Sequence, residues 1–232
     1  VAKYLSDYIE AIRSRLQEVE KSEEISTVDI TDSIELAVRH HSKYKPLEKV
    51  EDIDGADEYD VILPDSWEKD FSVVLEVEYP QGNRTPAYIE PKDMLLYQGT
   101  SGNPVLRLLN VTPAVEKTLR LTFTHTHSVA VAATTVEDAD FWAVASLASA
   151  MAARVLAARY TRVWGPTLDV DVMNFRDKAG EYLALARECE EVWRLHLGLP
   201  AEGAAVPAFH YGDWDTRYSW DRSLLVHKPG YR

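Results

Sequence analysis

The residues best suited to chemistry in this chain are its histidines, its carboxylates and a single thiol. His125 and His127 stand two apart in an alternating segment. On a strand they would share one face, about 7 Å apart, and two imidazoles so placed would begin a metal site. No third ligand is signalled nearby, so a structural role is expected. His40 and His41 adjoin at the end of a helical pattern, where positive charge suits the macrodipole. Asp138 and Asp140 fall at a helix start and are stabilised by the same dipole. Two apart on a helix, they do not face each other as a hydrolytic pair would. Glu188, Glu190 and Glu191 read as a solvated face. Cys189 is the only cysteine, so no internal disulfide forms. It sits in a strongly helical pattern, with no His or Asn beside it to activate it, and reads as a buried thiol. The sequence has no G-x-x-x-x-G-K-[ST] loop, G-x-G-x-x-G turn, G-x-S-x-G elbow or H-E-x-x-H helix. Gly99-Thr100-Ser101-Gly102 reads as a hairpin turn. These readings lead to the expectation of no catalytic residues, no cofactor and no metal.

Aromatic residues form a second group. Trp67, Tyr79, Tyr88 and Tyr97 would make either a platform for a carbohydrate or the filling of a small β core. Phe209, Tyr211, Trp214, Tyr218, Trp220 and Tyr231 crowd a C-terminal stretch that follows neither the helix nor the strand period. Disordered linkers are poor in such residues, and interfaces are enriched in them. The stretch from about Ala201 to Arg232 therefore reads as an extended arm that docks on another subunit. The competing expectation is a tail folded back over its own domain.

The elements that position these residues can be read from periodicity. Leu5, Tyr8, Ile9, Ile12, Leu16 and Val19 form one helical stripe. After a polar break at Lys21–Glu24, Ser26 or Thr27 caps a second helix with Ile30, Ile34, Ala37, Val38 and His41 on its apolar face. Pro46 ends it. From about Asp57 the period becomes two. Phe71, Val73, Leu75, Val77 and Tyr79 alternate with Ser72, Val74, Glu76 and Glu78. Leu119, Leu121, Phe123 and His125 alternate with Arg120, Thr122 and Thr124. Weaker strand patterns lie at Tyr59–Leu63, Ala87–Ile89, Met94–Gln98 and Val105–Leu109.

Helices return after Thr135, where Thr135 and Asp138 resemble a capping box. The next helix extends to about Tyr160 with Ala139, Ala143, Ala150, Ala153 and Ala157 as small packing surfaces. Its apolar stretch contains Asp140, Arg154 and Arg159 and is mostly alanine, so it reads as a buried helix rather than a membrane span. Gly165-Pro166 breaks the chain. A final helix starts near Asp169 or Asp171, with Val172, Phe175, Ala179, Tyr182, Ala186, Cys189, Trp193 and His196 as a heptad seam. Glu190 and Arg194 are spaced as an exposed pair. Gly198 and Pro200 stop the helix.

The predicted fold class is α+β: a bundle of about four helices with an inserted small antiparallel β-sandwich or barrel and an extended C-terminal arm. The parts expected are N-terminal helices over 1–50, an inserted β region over 57–130, a helix pair over 135–199 and the arm over 201–232. The 232 residues suffice for a real core. A net charge of −13 repels phosphate backbones and argues against sequence-specific DNA reading. Val1–Glu10 carries Lys3, Asp7 and Glu10 with no apolar run and does not read as a secretory signal.

Phe175-Arg176-Asp177-Lys178-Ala179-Gly180-Glu181-Tyr182-Leu183-Ala184-Leu185-Ala186-Arg187 resembles a pattern in head-to-tail adaptor (connector, or neck) proteins of tailed bacteriophages. It follows an alanine-rich helix introduced by Thr134-Thr135-Val136-Glu137-Asp138, as in those proteins. Ile34, Ala37, Val38, Tyr44 and Pro46 are similar to their second helix. The family pattern often has a serine before the Lys-Ala pair, where this chain has Asp177. The resemblance implies a virion structural protein made in the host cytoplasm and located at the head-to-tail junction. It would form a homo-oligomeric ring, commonly twelve-fold, beneath the portal protein and would meet a tail or stopper protein. Genomic DNA would pass through its channel without sequence-specific binding, and no membrane would be involved. The arm would reach the portal. Alternative readings are another neck or tail-completion protein, or a carbohydrate- or ligand-binding module.

Overall fold

The computed structural model describes residues 3–16, 25–99, 102–162 and 169–200, with side chains from 162 to 177 outside that description. Among these residues the chain is α+β, with four α-helices and two small antiparallel sheets.

Two helices come first. α1 (Leu5–Arg15) buries Tyr8 and Ile12, and Leu16 follows them into the core. Val19 and the Lys21–Glu24 break lie outside the described residues. α2 (Thr27–Ser42) opens on Ser26, whose side chain accepts from Asp29 N–H, the N-cap expected from sequence. Its buried face includes Ile30, Ile34, Ala37, Val38 and His41, the face predicted.

α3 (Phe141–Arg162) and α4 (Asp169–His196) run antiparallel. Asp140 meets His196 at one end, and Tyr160 stacks on Tyr182 nearer the other, at 5.6 Å and 9°. Arg154 bridges to Glu190 between them. Glu190 thus serves an interhelical contact rather than only the solvated face read from spacing. Ala145, Ala148, Ala150, Ala152 and Ala153 are fully buried. Small side chains let helices approach closely, and enlarging one in such a core costs about 1–3 kcal/mol. α3 is long and apolar enough to cross a bilayer, but its surface is covered mostly by α1, α2 and α4. The seam of α4 is seen at Ala179, Ala186, Cys189 and Trp193, all buried. Val172 and Phe175, and the Gly165-Pro166 break, lie outside the described side chains and residues. Gly198 takes a positive φ of 65°, the expected C′ stop.

α3 starts six residues after Thr135, so the anticipated capping box does not form. Thr135 instead holds the preceding loop: its hydroxyl accepts from Ser128 N–H at 2.8 Å.

Between α2 and α3 lie six strands: β1 (Leu47–Asp54), β2 (Asp60–Ile62), β3 (Val74–Glu78), β4 (Met94–Gln98), β5 (Pro104–Leu108) and β6 (Thr118–His125). They pair as β1-β6-β3 and β2-β5-β4, all antiparallel, and neither sheet closes on itself. Val61, Leu63, Val77, Leu106, Leu108, Leu119, Leu121 and Phe123 form one apolar cluster drawn from both sheets. Gly55 lies against the Ala114 carbonyl so closely that a Cβ there would sit 2.1 Å from its oxygen.

Three sequence expectations change here. The strand region begins at Leu47, not near Asp57, because β1 (Leu-Glu-Lys-Val-Glu-Asp-Ile-Asp) carries too many charges to show a period of two. The alternation over Phe71–Tyr79 is broken by a bulge between Val74 and Glu76, which swaps faces. Val73 and Leu75 are therefore exposed, whereas Val77, Ser72 and Glu78 are buried. Ala87–Ile89 forms no strand of its own and lies along β3 through a single Glu78–Tyr88 bridge.

Candidate functional site

The aromatic residues singled out in the C-terminal stretch, Phe209, Tyr211, Trp214, Tyr218, Trp220 and Tyr231, lie outside the described residues. The described chain does contain the ground from which that stretch departs. There the ends of α2 and α4, the start of α3 and both connections to the strand region converge on a group of buried polar side chains.

The central residue is Asp140, 3% exposed, immediately before the first turn of α3. Its Oδ2 accepts from Lys45 Nζ at 2.7 Å, and its Oδ1 lies 2.8 Å from His196 Nε2. Lys45 also reaches Glu137 at 2.6 Å. Burial pushes the Asp140 carboxyl toward its neutral form. The hydrogen bonds from Lys45 and His196 outweigh it, so its pKa lies below the usual carboxylate value. Lys45 is held correspondingly more basic, first by its hydrogen bond to Asp140 and then by that to Glu137.

His41 is fully buried. The Trp193 indole N–H donates to its Nδ1 at 3.3 Å, which places the ring proton on Nε2. That proton faces Asp140 Oδ2 at 3.7 Å, beyond hydrogen-bonding distance, and Nε2 has no other partner. Burial lowers the pKa of His41, against the attraction of Asp140. His40, packed between Tyr44 and Trp193, is lowered chiefly by burial as well. Both rings therefore favour the neutral form. The helix-terminal positive charge read from their position is overridden by loss of solvent.

His127 closes the same junction. β1 and β6 pair along eight residues, from Leu47 with His125 to Asp54 with Thr118, so the strand region leaves and re-enters the helical region side by side. Just below that pair, His127 Nε2 lies 3.1 Å from the Lys45 carbonyl and Nδ1 lies 2.9 Å from the Thr135 carbonyl. Nδ1 also lies 3.3 Å from the Thr135 hydroxyl, so both ring nitrogens are engaged. Ser42 accepts from His127 N–H at 2.9 Å and donates to Val38 O at 2.7 Å.

This geometry fixes what the group can do. The Ser42 hydroxyl is committed to backbone on both sides, and neither imidazole reaches it as a base. His125 and His127, expected to share a strand face, are not brought together. The strand ends at His125, whose Nδ1 turns to Thr126 O, while His127 turns into the helical junction. Among the described residues no three His, Cys, Asp or Glu side chains are grouped to hold a metal. Cys189 is buried and its thiol pKa is raised by desolvation, which suits a packing role. The four-aromatic platform does not form either. Trp67 packs on Phe123 at 5.5 Å, the Tyr79 hydroxyl accepts from Ala114 N–H, Tyr88 is exposed, and Tyr97 lies in the β2-β5-β4 sheet, where its hydroxyl donates to Asp60 of that same sheet. The junction is a clamp that fixes the end of α4, the last described helix before the aromatic stretch. Sequence reasoning found His41, His127, Asp140 and His196 one by one but not their convergence. Their only shared signal was position at element ends. No protein-family model matches this sequence, and no curated protein is significantly similar to it.

Proposed function

We propose that this chain is a structural subunit of a tailed-phage neck: an adaptor that assembles as a ring beneath the portal, extends the DNA channel and meets the tail or stopper. In this reading the two sheets form a small sandwich inserted into a helical bundle, and residues 201–232 form an arm that grips the portal. The observation that carries the reading is the order of parts. An alanine-packed antiparallel helix pair, which carries the adaptor-like residues 175–187, is clamped at its end and followed at once by a stretch rich in aromatic residues.

Surface character supports it. Val28 and Leu36 on α2, and Leu183, Val192 and Leu195 on α4, are exposed. Such faces suit coverage by neighbouring subunits. A ring needs two different faces in contact head to tail, and α2 and α4 offer two. The net charge of −13 suits a channel through which DNA slides, since neutralising phosphates is what makes DNA bind.

The test is co-sedimentation with portal rings of the full chain and of a chain ending at Ala201. The full chain is expected to pellet with the rings and the shortened chain to stay in the supernatant with unchanged circular dichroism. Equal binding by both would remove the arm from the mechanism. Absence of binding by the full chain would remove the adaptor reading.

A further inference from the structure

The four outer edges of the two sheets are not equivalent. The β1 edge carries exposed Glu48 and Asp54 beside Asp52, which pairs with Arg120, and the like charges of Glu48 and Asp54 discourage pairing. The β3 edge is covered by residues 87–89, through Tyr79 N–H to Ala87 O and Ile89 N–H to Val77 O. β2 is three residues long. β4 (Met-Leu-Leu-Tyr-Gln) has five residues and no charge.

Its free side follows from the register. Backbone bonds from Gly99 N–H to Asn103 O and from Leu109 N–H to Asp93 O bracket the β4–β5 ladder. In an antiparallel ladder bonded pairs alternate, so Leu95 and Tyr97 turn their backbone groups toward β5. Leu96 and Gln98 present theirs outward, as Met94 does its carbonyl. Leu95 and Leu96 are 52% and 47% exposed. Two of the nearby carboxylates have cationic partners, Asp60 in Arg107 at 2.7 Å and Glu90 in Lys92 at 2.5 Å, while Asp93 accepts from the neutral Asn110 amide and keeps its charge. The strand itself carries no charge, which leaves Asp93 at its start, among the described residues, as the nearby carboxylate without a cationic partner.

We propose that β4 pairs with β4 of a second copy, antiparallel and centred on Leu96. The edge is self-complementary about that residue. Leu96 N–H and C=O would exchange two bonds with Leu96 of the other copy, and each Gln98 N–H would donate to the opposite Met94 carbonyl. Leu95 would then lie beside Tyr97 of the other copy on one face, an aliphatic–aromatic cross-strand pair, with the two Leu96 side chains adjacent on the other. Two three-stranded sheets become one six-stranded sheet, and the unguarded edge disappears. This contact is isologous and makes a pair. It is distinct from any ring interface and does not rest on the adaptor reading.

Sedimentation velocity of the full chain, from micromolar to near-millimolar concentration, tests it. The native chain is expected to shift reversibly from monomer to dimer. Leu96→Lys sets two ammonium groups opposite each other and is expected to weaken the dimer at least about tenfold, with circular dichroism confirming the fold. Leu96→Cys places two thiols on a bonded pair with Cα atoms about 5.5 Å apart, within disulfide reach. Diamide, which oxidises two thiols to a disulfide, is expected to link it rapidly, unlike Val50→Cys on the charged β1 edge. A native chain that stays monomeric throughout, a dimer unaffected by Leu96→Lys, or linkage of Leu96→Cys no faster than of Val50→Cys would each overturn the proposal.

Discussion

In the helical region the carboxylate of Asp140 is buried and answered by Lys45 and His196 from two other segments. In the strand region Asp52 and Asp60 meet Arg120 and Arg107 at the surface. The geometry of the surface pairs is good: Asp60 takes two hydrogen bonds from the Arg107 guanidinium at 2.7 Å, and Asp52 takes two from Arg120. Solvent screens them, however, and exposed pairs contribute little. The buried carboxylate differs in kind. An unanswered charge there would be costly, so each partner is needed to keep the others satisfied. The comparison separates two uses of charge in one chain. In the strand region charges guard edges and keep the surface soluble, with cohesion coming from Phe123, Leu121 and their neighbours. In the helical region a few charges set where three helix ends and two connecting segments meet.

The largest effect that would break this contrast is at Asp140. Asp140→Ala is expected to cost about 3 kcal/mol, read from the urea midpoint at neutral pH. Lys45 is left with Glu137, and His196 loses its anionic partner. A loss comparable with that of a surface pair would mean that the junction is dispensable.

A smaller effect sharpens the contrast through pH. His41 has a folded pKa below its ordinary value because burial disfavours the charged ring. The unfolded chain therefore takes up a proton near pH 6.5 that the folded chain refuses. The contribution of His41 is complete above that pH and is lost as pH falls toward the folded value. His40 acts in the same direction. His41→Gln is expected to flatten, without abolishing, the decline of stability below pH 6.5 measured by denaturation at a series of pH values. An unchanged decline would show that His41 is not held neutral. Asp140 acts only in stronger acid, since its lowered pKa makes its contribution disappear as pH drops below the ordinary carboxylate value.

The smallest effect is expected at the surface. Asp60→Asn removes the ion pair with Arg107 and should leave the thermal midpoint within experimental scatter in moderate salt. A clear drop would place the strand region under the same electrostatic control as the helices.

Much of the helical region could be read from residue order. The stripes of α1 and α2, the Ser26 cap, the alanine face of α3 and the Gly198 stop each follow from local period or local backbone preference. β6 was legible for the same reason, since Leu119, Leu121 and Phe123 all point to one core. β1 was not, because an edge strand half in water needs no regular apolar face and its charges mask the pattern. The bulge in β3 was also hidden. One extra residue reverses the faces without changing composition.

The sequence by itself determined which segments are helices and most of the strands, because period and capping act within a few residues. It also determined the acidic surface and the absence of a disulfide. Only the tertiary structure decided that His41 is neutral, that Glu190 turns to Arg154, and that His127 leaves His125 for Lys45 and Thr135. Each depends on burial or on partners up to about a hundred and fifty residues away in the chain. Solvation and distant charge are properties of a place in space, and residue order does not state them.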